Sequence, residues 1–315
     1  MRSKPLMGIS LDLDNQWSYM KTHGDEGWKE YPSYYDIFVP HVLEILSELD
    51  IKITFFIVGQ DVVVEKNKPY LRKISEAGHD IGNHSFQHEV WINQYSRDQL
   101  EKELENAENA IFETTGKKPK GYRGPGFSWN ETILNVLYDR NYLYDASSLP
   151  TFIGPFARMY YFWKSDFSKD ERRKRTSLFG PFSEGFKRLK PNYFDLKSGK
   201  KILEIPITTI PVLRIPFHMS YLIYLSLISS FLMKGYLYFA IFMCKITGTP
   251  VSFLLHPLDI IGGDKIKELA FFPGMNIESK RKILIFKEVM RILKRNYNLV
   301  DLNSFASSIL NSLNK

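Results

Sequence analysis

Apolar and polar positions form blocks along the chain, and the blocks predict strands and helices in turn. Residues 9–13 are apolar at alternate positions and end in acids, which predicts a short buried strand with a functional tip. Residues 51–58 are β-branched and aromatic and stop at Gly59, as a second strand would. Residues 79–82, 121–123, 142–145, 201–207 and 251–255 predict further short strands. Helical spacing recurs between them at 36–49, at 67–77 before Gly78, at 96–115 between Ser96 and Gly116, and at 130–140. Residues 278–295 and 304–313 close the chain as helices. This alternation argues for parallel βα units in one domain spanning 1–315. Two stretches break the rhythm. Residues 15–35 are aromatic and polar without a period and read as a loop. Residues 150–200, rich in aromatics, basics, Gly and Pro, read as a long insertion.

Residues 217–246 are nearly all apolar or aromatic, interrupted by Lys234 and Gly235. The 15 residues from 219 to 233 carry no charge, fewer than the roughly 20 that span a bilayer. Four readings stay open: a pair of buried barrel helices, a hairpin lying in one leaflet, a transmembrane helix, or a dimer interface. His218, Tyr221, Tyr224, Tyr236 and Tyr238 suit a boundary between water and lipid.

Composition narrows the class. With 44% hydrophobic and 15% aromatic residues the chain builds a sizeable core, which excludes global disorder. The single cysteine, Cys244, excludes an intramolecular disulfide framework and a Cys-based zinc cluster. The net charge of +7 is unevenly placed: residues 164–190 hold nine Lys or Arg against four acids. Such a cluster attracts phosphate groups or an anionic membrane surface, or is a solvated loop face. No nucleic acid partner is expected, because no recognised module accompanies it. The N-terminal residues hold no apolar signal region, so the expectation is a cytoplasmic protein, peripheral on the inner face of the cytoplasmic membrane.

Chemistry in parallel α/β folds gathers at the C-terminal ends of strands. Those ends carry Asp12 and Asp14, then His84 and His88, then Arg123, Asp145 and His256. His84 and His88 are four apart, the spacing that puts two imidazoles on one face of a helical turn. With Asp14 they make a three-ligand set that leaves room for water and substrate. Asp12 would be the base for the water that a divalent metal activates, and His256 the acid for the leaving amine. Zinc suits this set first, and cobalt, nickel or iron also suit it.

Five ordered motifs resemble those of NodB-type polysaccharide deacetylases: Asp12-Leu-Asp14, His84-Ser-Phe-Gln-His88, Arg123-Gly-Pro-Gly126, Tyr144-Asp145-Ala-Ser-Ser and Leu254-Leu-His256. The resemblance covers about residues 8 to 257 and implies an α/β fold, a distorted (β/α) barrel. It also implies hydrolytic removal of an acetyl group, or formyl, from an N-acylated amino sugar or glycan. By it Asp12 is the catalytic base, Asp14, His84 and His88 hold the metal, and Arg123 positions Asp12. His256 is the general acid and Asp145 its partner. Gly126, Phe127 and Trp17 are the candidate substrate and oxyanion residues. The chain departs from the family at three points. Leu13 separates the two acids, Gly126 stands where many members carry an aromatic, and the fourth motif lacks its usual Trp. These departures point away from a long glycan and toward a small or polyprenyl-phosphate-linked sugar. The competing classes are a non-catalytic carbohydrate- or lipid-binding relative and a metal phosphoesterase; the latter normally wants more ligands.

Overall fold

The structure is a computed structural model that describes residues 4–152 and 182–313. Most of the basic segment at 164–190 therefore lies outside the described residues. The first strand, β1 (Leu6–Asp12), is buried on both faces as the interior strand of a parallel sheet should be. On one edge it pairs β8 (Val251–Leu255); on the other it pairs β9 (Asn298–Asp301) along its first half and β2 (Thr54–Ile57) along its second. The sheet continues through β3 (Asp80–Asn83), β4 (Gly121–Tyr122), β5 (Tyr144–Asp145) and β7 (Lys201–Glu204), all parallel. It ends at β6 (Asn192–Asp195), which runs antiparallel to β7. That strand lies inside the stretch read from sequence as a long insertion, so part of the stretch extends the sheet.

The sheet curls, and its free ends meet through an extended segment rather than a ladder. Thr208 N–H donates to the Ser252 carbonyl at 3.1 Å, and Ser252 N–H donates to Thr208 Oγ1 at 2.8 Å. Side chains alternate accordingly. Ile9, Leu11, Leu13 and Phe55 join the outer core under the helices. Phe56, Tyr144 and Leu203 line the inner face with Leu302 and Phe305 of the last helix. Leu302 N–H bonds Thr54 Oγ1 at the start of β2, so this helix closes the end where the strands begin. The opposite end is left for chemistry.

The helices follow the sequence closely where caps were legible. Ser96 and Gln99 form a reciprocal capping box on the helix Arg97–Thr115, and Gly116 ends it with φ of 69°. The expected loop at 15–35 is instead a helix, α1 (Gln16–His23), followed by a 3-10 turn, Glu26–Glu30. Its signal was hidden because the face it buries is Trp17, Ser18 and Tyr19, a mixture with no apolar period. The apolar run forms two helices, α7 (Met219–Ile228) and α8 (Ser230–Ile246). Met219, Leu222, Met233, Leu237 and Cys244 bury into the main core. No described helix is long and apolar enough to cross a membrane.

Candidate active site

Strand register sets the site. Ser10 and Asp12 are two apart on β1 and face the same way, inward, while Leu11 faces the helices. On the neighbouring strand Leu11 pairs Leu255, so Asp12 and His256 follow side by side on adjacent strand tips. On the other side His84 leaves β3, its N–H held by the Ile57 carbonyl at 2.9 Å. Arg123 leaves β4, its N–H held by the Asn83 carbonyl at 3.0 Å. The register thus lines up His256, Asp12, His84 and Arg123 along one rim.

Arg123 is fully buried and ties this rim together. Its Nη1 lies 2.7 Å from Asp12 Oδ1 and 3.0 Å from Ser10 Oγ, and its Nε donates to the Ala146 carbonyl at 2.9 Å. The guanidinium stacks over the Phe56 ring, 4.5 Å from its centre. That ring in turn needs a glycine beside it: a Cβ at Gly82 would stand 2.4 Å from Phe56.

His84 and His88 do not share a helical turn. They stand at the two ends of a bent loop in which Ser85 (φ 65°) and His88 (φ 51°) take left-handed backbone. Side chains hold this bend: Ser85 N–H donates to Asn83 Oδ1 at 2.8 Å, and His88 N–H to Ser85 Oγ at 3.1 Å. Glu103 accepts the N–H groups of Phe86 and Gln87 at 3.0 and 2.6 Å. The imidazoles still converge. His88 Nε2 is 2.9 Å and His84 Nε2 3.5 Å from Asp14 Oδ1.

One ligand atom from each of Asp14, His84 and His88 falls within 4.8 Å of the others. Asp14 Oδ1 and His88 Nε2 are buried without a hydrogen-bond partner, so they aim at a shared point rather than satisfy each other. His84 Nδ1–H donates to the Arg123 carbonyl at 2.7 Å, which fixes its tautomer and turns the Nε2 lone pair toward Asp14. Burial alone would raise the Asp14 carboxyl, but the charge of His88 and contacts with both imidazoles hold it well below the usual carboxylate range. Burial lowers His84, and the nearby Asp12 and Asp14 more than offset that, so its imidazole is raised above 6.5. The donor set fits one divalent metal ion.

His256 does not find its carboxylate where the motif order put it. Asp145 accepts the Ser147 hydroxyl at 2.6 Å and shares a hydrogen bond with the buried Glu204. Burial raises both carboxyls, and the charge of Asp145 raises Glu204 further. The acid beside His256 is Asp259, three residues on. Its Oδ2 accepts the His256 N–H at 2.8 Å and lies 4.0 Å from His256 Nδ1. Ser220 Oγ stands 3.5 Å from the same nitrogen and hydrogen-bonds Asp259. His218, expected at a water–lipid boundary, is instead buried beside His256 with ring centres 6.1 Å apart. Burial pulls its imidazole down to about 3, so it stays neutral.

Trp17 also moves out of the substrate role. It is 1% exposed, packs edge-on to His88, and donates its Nε1–H to Asp61 at 2.8 Å. Because residues 16–23 are helical, Trp17 turns inward and backs a metal-ligand candidate from behind. Gly126 and Phe127 follow Arg123 on its loop, both in left-handed backbone. The Phe127 N–H is already spent on the Gly124 carbonyl at 3.0 Å.

Sequence reasoning missed Asp61, Glu103 and Asp259, and it placed His218 elsewhere. Asp61 sits beneath the site and also accepts from Asn15 at 2.6 Å and Tyr35 at 2.9 Å. Only Asp259 left a local trace: an acid three residues after His256, across a turn-forming Pro257.

The polysaccharide deacetylase family model matches residues 25–144, the part that holds His84, His88 and Arg123. The peptidoglycan-N-acetylmuramic acid deacetylase PdaA of Bacillus subtilis is 34% identical over 103 residues, 32% of this chain and 38% of that protein. The peptidoglycan deacetylase of Helicobacter pylori is 24% identical over 160 residues, 50% of this chain and 54% of that protein. The chain thus spans less than two thirds of the length of these relatives. A Mycobacterium smegmatis structure assigned as a polysaccharide deacetylase shares the fold, with a TM-score of 0.61 at 18% identity over 98% of this chain and 91% of that one. The α/β half-barrel and these matches agree with the five motifs: residues 25–144 match the polysaccharide deacetylase model, and the chain is similar to the NodB, carbohydrate esterase family 4-like type.

Proposed function

We propose that this protein is a metal-dependent hydrolase that removes an acyl group, acetyl or formyl, from the nitrogen of an amino sugar. The observation that carries the reading is the meeting of Asp14, His84 and His88 within 4.8 Å, two residues from an Asp12 clamped by Arg123. A divalent ion, zinc first, would be held by those three side chains and would polarise the acyl oxygen and the attacking water. Asp12 takes the proton of that water, with Arg123 fixing the direction of its carboxylate. His256, on the adjacent strand tip, delivers a proton to the leaving nitrogen, and Asp259 and Ser220 hold its ring. The backbone of Gly126, on the loop after Arg123, is the candidate oxyanion donor.

Relatives named as peptidoglycan deacetylases support an N-acylated amino sugar as the substrate class. The spaced acids and the Gly126 position favour a small or polyprenyl-phosphate-linked sugar over a long glycan. The test is an acetate- and formate-release screen over N-acylated sugars, sugar nucleotides and lipid-linked sugars, with the metal-loaded protein. Release from at least one amino sugar that stops on chelation and returns with zinc or cobalt supports the reading. No release from any of them by metal-loaded protein contradicts it.

A further inference from the structure

One face of the α7–α8 hairpin packs into the core, and its other face is apolar and bare. At the turn between the helices Ile228 is 75% and Phe231 85% exposed. Along α8 the exposure continues through Tyr238, Phe242 and Ile246, which recur at intervals of seven, four and four from Phe231 and so form one stripe. Soluble surfaces scatter large apolar side chains singly; a continuous stripe of them marks a contact surface.

Charge identifies the partner. Neither α7 nor α8 contains an acid, and the edge of the stripe carries Lys234 and Lys245. Both reach toward the neighbouring helix α9 (Ser279–Asn296): Lys234 pairs Glu288 at 2.7 Å, and Lys245 bonds Asn296 at 2.7 Å. That helix holds seven Lys or Arg against the single acid Glu288. Arg281, Arg291 and Arg295 are exposed and share the Glu288 face, so they border the stripe. An apolar stripe flanked by cations on a helix lying along the surface is the pattern of a segment that rests in the headgroup region of a bilayer. A symmetric pair of chains meeting here would bring both basic borders around one patch, which disfavours a second copy.

We propose that the exposed face of α8, with the α7–α8 turn, docks on an anionic phospholipid bilayer, oriented by the basic face of α9. The inference deepens the proposed function, on which its meaning for the substrate rests. Helix α7 starts beside the site, with Ser220 against His256, and Ile228 follows about 12 Å along the axis. Docking by this face holds the site close to the headgroup layer, where a lipid-borne sugar is presented.

Co-flotation of the full chain with vesicles of phosphatidylcholine alone, or mixed with phosphatidylglycerol, tests it. Binding to the anionic vesicles that weakens with salt is expected. Phe231→Glu should lower the partition by about tenfold, and Arg291→Glu by about fivefold or more. Both positions are exposed, so acyl release from a water-soluble sugar should survive and shows that the variants are folded. Asp12→Asn should float like the wild type; if it floats but no protein releases acyl groups, the functional reading fails and the docking stands. A chain that stays soluble with anionic vesicles at low salt overturns the proposal. So does a dimer that Phe231→Glu dissociates, which would give the face to a second copy.

Discussion

Arg123 Nη1 stands 2.7 Å from Asp12 Oδ1, with both side chains buried. A buried ion pair is costly to break, because the remaining charge keeps its desolvation and loses its compensation. Arg123→Ala should destabilise the protein by about 3–5 kcal/mol in thermal or urea unfolding. Arg123→Lys should recover part of the stability and little of the rate. A lysine keeps the charge but lacks the planar fork that reaches Ser10, Asp12 and the Ala146 carbonyl together.

The neighbour of His256 gives a second test. Asp259, not Asp145, holds the His256 N–H and faces Nδ1. Asp259→Asn should weaken the hold on the His256 ring and lower kcat by about tenfold or more, with KM little changed. Asp145→Asn should lower kcat less, since Asp145 answers to Ser147 and Glu204. A larger loss of kcat in the second variant than in the first would restore the motif-based pairing.

Trp17→Phe removes the indole N–H that Asp61 Oδ1 accepts at 2.8 Å, while the same oxygen keeps the Asn15 donor at 2.6 Å. The expected cost is about 0.5–1.5 kcal/mol of stability. Since Trp17 is walled off behind His88, KM should hold while kcat falls. A raised KM with an unchanged kcat would put the indole back against the substrate.

Asp61 predicts a pH dependence of stability. Burial pushes its carboxyl from 3.8 up to about 7, with Asn15, Trp17 and Tyr35 pulling the other way. The geometry agrees with a proton there: the Tyr35 hydroxyl contacts both the Leu13 carbonyl at 2.8 Å and Asp61 Oδ2 at 2.9 Å, and its single hydrogen serves one of them. A proton on Asp61 satisfies the second. The native state then holds a proton that the unfolded chain has already released, so this contribution is full below pH 3.8 and is lost as pH rises toward about 7. Asp61→Asn should flatten that part of the stability–pH curve. An unchanged slope would contradict the assignment.

Much of this was legible because strand tips and caps have short-range signatures. Asp12 and Asp14 end an alternating strand, and Ser96 with Gln99 and Gly116 bound a helix by local hydrogen bonding. What failed was of two kinds. Helix α1 carries no apolar period because its buried side chains include Gln16 and Ser18, which bond locally to Met20 Sδ and the Asn15 carbonyl. The supports of the site, Asp61 under Trp17 and Glu103 under the His84–His88 bend, are distant in sequence from what they hold. A buried carboxylate with distant partners has no local pattern. The histidine pair was found for a reason the structure revises: spacing suggested a helical face, and a left-handed bend does the work instead.

The central claim is that Asp14, His84 and His88 hold the metal while Asp12 supplies the base. One paired measurement separates these roles: metal content and acyl release of Asp12→Asn beside Asp14→Asn, both loaded with zinc and dialysed. Asp12→Asn should keep the metal and lose release by about 100-fold or more, as removal of a general base does; Asp14→Asn should lose both. Full turnover by Asp12→Asn, or an Asp14→Asn protein that retains its zinc, would contradict the account.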